Sequence, residues 1–323
     1  MKVLITGGTG FIGYHLAKKH VQIGDSVIII DNMFKNDGKV DTEIETLLKQ
    51  DNIEFINIDL TMPISDCLLP KDLDIIYHLA AINGTELFYK LPYMVAKTNI
   101  SMTLRLLDYF EKQHSVKKIV FSSTSEVYAG AYAMGHINIP TDETALIAFT
   151  QPTDSRFSYA SSKFMSEFLF MEFSKKFEIP TSIIRYHNIY GPRMGMRHVI
   201  PELVTRLNNG ESPLKVYGAD ETRSFCFISD AVDATISVAN SDNTNQEIIH
   251  IGDQNGEIAI NLLAKKIIDL MGLDVALEKM VGRPNSVSRR CPDTRKLFAK
   301  TGFKAKVGIT DGLSKTIKWY LRN

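Results

Sequence analysis

The sequence predicts an α/β fold, a doubly wound parallel sheet with a smaller interleaved α/β lid. Three observations predict it. Short apolar runs alternate with helix-like stretches through the first half of the chain. Those runs are continuous in hydrophobicity, as parallel strands covered on both faces are. After Gly191-Pro192 the pattern changes to more turns and shorter strands.

The elements follow in order. Val3–Thr6 is a first buried strand. Gly7, Gly10 and Gly13 then turn the chain into a helix over Gly13–Ile23. Val27–Asp31 is the second strand, and Asp41–Lys49 a short helix. Glu54–Asn57, Ile75–His78 and Lys118–Ser122 read as further strands, with a long helix at Met94–His114 before the last of them. Tyr159–Phe177 is a second long helix, and Thr181–Tyr186 resembles a sixth strand. Beyond it come a short strand at Glu247–Ile251 and helices at Ile260–Met271 and Thr310–Leu321. We expect residues 1–186 to form the sheet domain, with some later segments returning to it, and 187–323 to form mainly the lid.

Composition narrows the function classes. The 323 residues are 44% hydrophobic and 23% charged, with a formal net charge of +0. No basic block stands out, so neither nucleic acid nor a membrane surface is an expected partner. No apolar run reaches membrane-spanning length, and no charged-then-apolar signal segment precedes the first strand. Cys67, Cys226 and Cys291 are scattered, which fits reduced thiols in a cytoplasm. The eight histidines show no metal-ligand spacing, and His78 and His250 read as satisfied core residues.

The first strand, the glycine turn, the helix and the second strand form a dinucleotide-binding unit of Rossmann type. The glycines let backbone approach a pyrophosphate, and the helix N-terminus offers unpaired N–H groups to it. Asp31 lies 18 positions after Gly13, at the end of the second strand. A carboxylate there accepts from both ribose hydroxyls and repels a 2′-phosphate, so the expected cofactor is NAD rather than NADP. Tyr159 and Lys163 stand at i and i+4, on one helix face. The lysine, with the charge of a nicotinamide, would favour the phenolate, making the tyrosine a base for a sugar hydroxyl. Phe121–Tyr128 (FSSTSEVY) runs from a strand into hydroxyls and Glu126, where open parallel sheets bind ligands. The alternative for that segment is a Ser/Thr turn capping the next helix.

Taken together, Thr6–Gly13 (TGGTGFIG), Asp31, Asp59-Leu60, His78–Ala81 (HLAA), Asn99, Thr124, Tyr159–Lys163 and Arg185–Arg193 (RYHNIYGPR) resemble the extended short-chain dehydrogenase/reductases. Within them, the resemblance is to NAD-dependent nucleotide-sugar epimerases, dehydratases and decarboxylases. It implies cofactor contacts from Gly7, Gly10, Phe11, Ile12, Gly13, Asp31, Asn32, Asp59, Leu60, Leu79, Ala80, Ala81 and Asn99. Thr124, Glu126, Tyr159 and Lys163 become the catalytic set, with Lys163 also on the nicotinamide ribose. Ser125, Asn188, Arg223 and Arg290 become substrate contacts, the two arginines clamping a diphosphate. The family also implies a homodimer built on the two long helices. Arg193 and Arg197 stay open between solvated and structural roles.

Members of the family share a 4-keto sugar intermediate and differ in how they process it. Thr124-Ser125-Glu126, Arg156 and Gly191–Met194 (GPRM) resemble UDP-glucuronate decarboxylases, and the first two also some GDP-sugar 4,6-dehydratases. Two departures stand against the decarboxylases. Ala-Ser-Ser separates Tyr159 from Lys163, as in UDP-glucuronate 4-epimerases, and Ala129 stands where the usual glycine follows Val-Tyr, before Gly130 and an unfamiliar stretch, 131–136. A noncatalytic NAD-binding sensor and a one-way ketosugar reductase are further alternatives. Intact Thr124, Tyr159 and Lys163 argue against the first, and Asp31 against the second.

Overall fold

The computed structural model describes residues 1–34, 41–65, 68–112, 116–282 and 287–322. Cys67 and His114, named above, lie outside them. In chain order the elements begin with β1 (Lys2–Thr6), α1 (Phe11–Gln22), β2 (Ser26–Asp31), α2 (Thr42–Leu48), β3 (Ile53–Asn57) and β4 (Ile75–His78). Next come α3 (Thr85–Lys90), α4 (Pro92–Phe110), β5 (Lys118–Thr124), α5 (Ala129–Ala133), α6 (Phe157–Phe177) and β6 (Thr181–Tyr186). Then follow β7 (Ile189–Tyr190), α7 (Val199–Asn208), β8 (Leu214–Tyr217), β9 (Thr222–Ser224), β10 (Cys226–Phe227), α8 (Ile228–Ala239) and β11 (Glu247–Ile251). The chain ends with β12 (Glu257–Ala259), α9 (Ile260–Met271), β13 (Leu277–Met280), β14 (Arg289–Arg290), α10 (Arg295–Thr301) and α11 (Ile309–Tyr320).

The central sheet has seven strands in the order β11-β6-β5-β4-β1-β2-β3. β1 pairs in parallel with β2 and β4, and β4 with β5, so their carboxyl ends share one edge. That edge carries the glycine turn, the segment after His78 and the hydroxyl cluster after Phe121. One face of the sheet buries Leu4, Ile28, Ile30, Ile76, Ile119, Phe121 and Ile183 against Leu106 and Phe110 of α4 and Phe170 and Phe173 of α6. Burial of such apolar surface is the dominant favourable term in folding.

Helix starts differ from the sequence-based expectation for local reasons. α1 begins at Phe11 rather than Gly13, because Gly10 is its N-cap. α2 begins at Thr42, because the Asp41 side chain is the cap and accepts from the N–H groups of Glu43 and Ile44, both at 3.0 Å. α4 starts at Pro92, whose missing N–H costs nothing in the first turn.

The residues cluster into two units. The first comprises Met1–Val127, Phe149–Arg185 and Thr235–Ile249; the second comprises Tyr128–Ala148, Tyr186–Ala234 and His250–Asn323. Both are assembled from separated stretches of chain. Glu247–Ile251, expected among the short strands after Gly191-Pro192, is the edge strand of the central sheet. Lys118 helps to hold that returning segment. Its buried ammonium donates to Val238 O at 3.0 Å, Ser241 O at 2.6 Å and Thr244 Oγ1 at 2.8 Å. Burial lowers its pKa to about 8.

A buried ion pair fixes α6 against the sheet. Glu167 accepts from Arg185 Nε at 2.8 Å and Nη2 at 2.6 Å, and from Ser123 Oγ at 2.5 Å. Arg185 and Glu167 are 1% and 3% exposed, so each charge depends on the other. This pair joins α6 to β6 and to the strand residue just before Thr124.

Candidate active site

Two glycines of the turn are demanded by packing. Gly7 has φ +72°, and a Cβ there would lie 2.8 Å from the backbone of Ala80. A Cβ on Gly13 would collide with the carbonyl oxygen of Gly7. Gly10 is different. Its φ of −71° suits any residue, and a Cβ would meet only Gly7 O, at 3.2 Å. It stands at the N-terminus of α1, which has no side-chain cap and no acidic residue in its first turn, so the end is left to an anion. Phe11 and Ile12 open this helix, both half-buried.

Asp31 closes the cradle. Its Oδ2 accepts from Thr9 N at 3.0 Å and its Oδ1 from Met33 N at 2.8 Å. The carboxylate is thereby held at the end of β2, with lone pairs left for two hydroxyls. Asn32 accepts from Phe34 N at 3.1 Å, and Asp59 from Thr61 N at 2.9 Å, beside buried Leu60. The uncapped helix end, Gly10 at its N-cap and the fixed carboxylate match the pyrophosphate and ribose of NAD.

The end of β4 is set by Thr6. Its main-chain oxygen accepts from Leu79 N at 3.1 Å and its hydroxyl oxygen from Ala80 N at 3.2 Å. That hydroxyl in turn reaches His78 Nδ1 at 2.8 Å. Burial, and secondarily the charge of Lys163, holds the His78 pKa down to about 3, so the ring is neutral. The next segment is fixed by Asn99 of α4. Its Oδ1 accepts from Ile82 N at 2.8 Å; its Nδ2 donates to Ile82 O and to Ser162 Oγ of α6, both at 3.2 Å. In this structure Asn99 is a brace between that segment, α4 and α6; Ala81 packs against the cluster of Phe88, Val95 and Tyr159.

Tyr159 lies in the first turn of α6, buried, with its ring stacked on Phe88 at 4.8 Å and 9°. Its hydroxyl hydrogen-bonds the side chains of Thr124 and Asn83. Burial pushes the phenol pKa up, and the nearby Glu126 charge adds to this; the bonds from Thr124 and Asn83 act downward. From sequence, Lys163 was the expected lowering charge. In the structure its ammonium donates to Ser122 O at 2.7 Å and lies 4.8 Å from the centre of the Phe121 ring. The protein alone therefore keeps Tyr159 neutral, because burial outweighs its donors.

Thr124 unites the two roles expected of its segment. Its hydroxyl caps the following turn, accepting from Glu126 N at 3.2 Å, and also bonds Tyr159. Ser125 is buried in that 3-10 turn, Ser125–Tyr128. Glu126 Oε2 lies 3.9 Å from Arg156 Nη2, with side chains 27% and 16% exposed. The carboxylate acts on the phenol, and the guanidinium lies on the carboxylate.

The remaining sequence candidates lie in the second unit, where strand pairing brings them together. β14 pairs with β9 in parallel and places Arg290 beside Arg223. Asn188 Nδ2 donates to Ser224 O at 3.1 Å, next to Arg223 on β9. Arg223 Nη2 is oriented by Glu221 at 2.7 Å, and the Arg290 guanidinium lies over Tyr132 at 5.7 Å. Two adjacent guanidinium groups suit a diphosphate. His250 is a buried core residue but only half satisfied: its Nε2 lies 2.8 Å from the Tyr128 hydroxyl, while its Nδ1 stands 3.9 Å from Glu143 Oε1 with no hydrogen bond. Sequence reasoning missed Asn83, Glu167 and Tyr132. Only Tyr132 carried a signal, its place in the unfamiliar stretch.

A dinucleotide cradle feeding a buried Tyr–Lys pair and a strand-end threonine is the site of an NAD-dependent enzyme of the extended short-chain dehydrogenase/reductase class. The chain belongs to the NAD dependent epimerase/dehydratase family, whose model matches residues 3–252. The chain is an enzyme and its cofactor is NAD. It is 35% identical to the UDP-N-acetyl-alpha-D-glucosaminuronate decarboxylase of Bacillus cytotoxicus, over 99% of this chain and 97% of that one. It is 31% identical to UDP-glucuronic acid decarboxylase 6 of Arabidopsis thaliana, over 97% and 87%. Among solved structures, UDP-glucuronic acid 4-epimerase from Bacillus cereus, in complex with UDP-glucuronic acid and NAD, superposes with a TM-score of 0.87 at 25% identity, covering 100% of this chain and 99% of that one.

The glycines separate by substitution. Gly13→Ala is expected to lower the melting temperature, because its Cβ meets backbone. Gly10→Ala is expected to keep near wild-type stability while weakening NAD binding. Thermal unfolding and NAD titration of both variants check this; equal effects on both properties would contradict the division of roles.

Proposed function

We propose that this enzyme decarboxylates a UDP-linked uronate through a 4-keto intermediate. The observation that carries the reading is the Glu126 carboxylate acting on the Tyr159 phenol, with Arg156 3.9 Å from that carboxylate. Similarity to two curated decarboxylases supports it. The first unit holds NAD through Gly7, Gly10, Phe11, Ile12, Gly13, Asp31, Asn32, Asp59, Leu60 and the 79–81 segment. The second unit holds the nucleotide diphosphate through Asn188, Arg223 and Arg290. When bound, NAD supplies the hydride acceptor and returns the hydride.

Thr124 orients the sugar C4 hydroxyl, and Tyr159 takes its proton as C4 is oxidised. Lys163, one turn along α6 and secured on Ser122 O, would hold the nicotinamide ribose. Oxidation at C4 makes the C5 carboxylate a β-keto acid. The C5–C6 bond then breaks, carbon dioxide leaves, and the electron pair is held as the C4 enolate. Glu126 disfavours a second carboxylate beside it and so promotes loss of that charge as carbon dioxide. Reprotonation at C5 follows, and Tyr159 would return its proton to the C4 oxygen as the ketone is reduced. The second reading is a UDP-uronate 4-epimerase, favoured by Ala-Ser-Ser between Tyr159 and Lys163 and by the likeness to the Bacillus cereus enzyme.

Mass spectrometry after incubation with UDP-glucuronate and UDP-N-acetylglucosaminuronate separates the readings. Loss of carbon dioxide supports decarboxylation, unchanged mass with a new isomer supports epimerisation, and loss of water supports dehydration. Glu126→Gln is expected to allow reduction of bound NAD by substrate while blocking the mass change. Intact product formation in that variant would leave Glu126 as a turn residue and overturn the decarboxylase reading.

We also propose a cytoplasmic homodimer. Cys226 and Cys291 are free and buried, which supports a reducing compartment. No helix among the described residues is long and apolar enough to cross a membrane. Helix α6 buries Phe170 and Phe173 but exposes Phe164, Met165 and Phe168, the last 58% accessible, with Leu104 exposed on neighbouring α4. An apolar outer face on both long helices supports a paired interface. Light scattering at micromolar concentration should give twice the chain mass; a monomer would contradict the dimer.

A further inference from the structure

We propose that Asn83 is a catalytic residue of this enzyme, donating its side-chain amide N–H to the Tyr159 hydroxyl and stabilising the phenolate that receives the substrate proton. This rests on the proposed role of Tyr159 as proton acceptor. The phenol has two side-chain partners, Thr124 and Asn83. A neutral phenol needs one acceptor for its single proton; a phenolate can accept from several donors. Thr124 Oγ1 already accepts from Glu126 N at 3.2 Å, so its own proton is directed outward to Tyr159 on ionisation. The Asn83 amide is the second donor.

Asn83 is itself solvent-exposed, so burial does not force its amide to seek a protein partner. Its place is nonetheless tightly set. Asn99 holds both the N–H and the carbonyl of the preceding Ile82, and the same amide bonds Ser162, three residues after Tyr159 on α6. Ala81 and Ile82 pack with Phe88, Val95 and Tyr159 in one cluster. The brace thus fixes the distance between the segment bearing Asn83 and the helix bearing Tyr159.

The electrostatic surroundings make such a donor useful. On α6 the nearest cation is Lys163, bonded to Ser122 O. From the turn after β5 comes Glu126, which opposes ionisation and has the Arg156 guanidinium 3.9 Å from its own carboxylate. From α3 and α4 the phenol meets apolar Phe88 and Val95, and the charged residues of α3, Glu86 and Lys90, pair with each other at 2.5 Å. Asn83 adds a dipole directed at the oxygen without adding a charge that Glu126 would capture. A hydrogen bond to a charged group is worth more than one between neutral groups, and its loss moves ionisation by about one to two pH units.

The test reads the phenol directly. Phenolate absorbance of NAD-loaded protein is titrated against pH, and the same titration of Tyr159→Phe is subtracted to isolate that residue. Repeating the pair in an Asn83→Ala background should move the ionisation upward by about one to two pH units. Asn83→Asp, of the same shape, removes the donor and brings a negative charge, and should move it at least as far. With UDP-glucuronate as substrate, the acid limb of turnover should shift in the same direction, so that activity lost at neutral pH returns at higher pH. An unmoved phenol ionisation in both variants, or an equal loss of turnover at every pH, would overturn the role. The titration needs no substrate, so it judges Asn83 even if UDP-uronates prove not to be processed.

Discussion

A buried phenol that must ionise is the constraint on which this site depends. Tyr159 is enclosed by Phe88 and the apolar residues around it, and burial alone opposes its charge. Glu126 opposes it further. Two hydrogen bonds act the other way, and a nearby ammonium is secured on Ser122 O. In the protein alone this balance keeps the residue protonated, and the charge of a bound nicotinamide would favour its ionisation. Such coupling would limit proton transfer to the assembled complex.

The scaffold serves that balance by holding three elements in fixed relation. Thr124 comes from the end of β5, Tyr159 and Lys163 from α6, and Asn83 from the segment after β4. The Glu167 carboxylate ties α6 to β5 through Ser123 and to β6 through Arg185. Asn99 ties α6 to the segment after β4. Thr6 and neutral His78 fix the start of that segment against the glycine turn. Each link is a buried polar group with its partners in place, so the loss of one would expose an unsatisfied neighbour as well as misplace a reacting atom.

Much of this was legible in the sequence because its causes are local. Glycine spacing, the carboxylate at the end of β2 and the i, i+4 pair on α6 each follow from the geometry of one turn or one helix. Pairing between distant segments was not legible. Glu247–Ile251 gives no local sign that it borders β6 in the central sheet. The neighbouring positions of Arg223 and Arg290 arise from strand register, and were reached only through family resemblance. Asn83 had no motif to mark it. An exposed amide in a loop gains meaning only from the oxygen it meets. The direction in which the protein shifts Tyr159 was hidden for the same reason, since it depends on burial by α3 and on Glu126.

The central claim, that one buried tyrosine opens and closes a cycle of oxidation and reduction at sugar C4, is tested most directly by a single turnover. Stopped-flow mixing of NAD-loaded enzyme with UDP-glucuronate or UDP-N-acetylglucosaminuronate would follow nicotinamide absorbance alongside carbon dioxide release. The account predicts a transient rise in the reduced form, then carbon dioxide release, then return to the starting absorbance, with the rise greatly slowed in Tyr159→Phe. Carbon dioxide release with no transient reduction, or an unchanged rise in Tyr159→Phe, would contradict it.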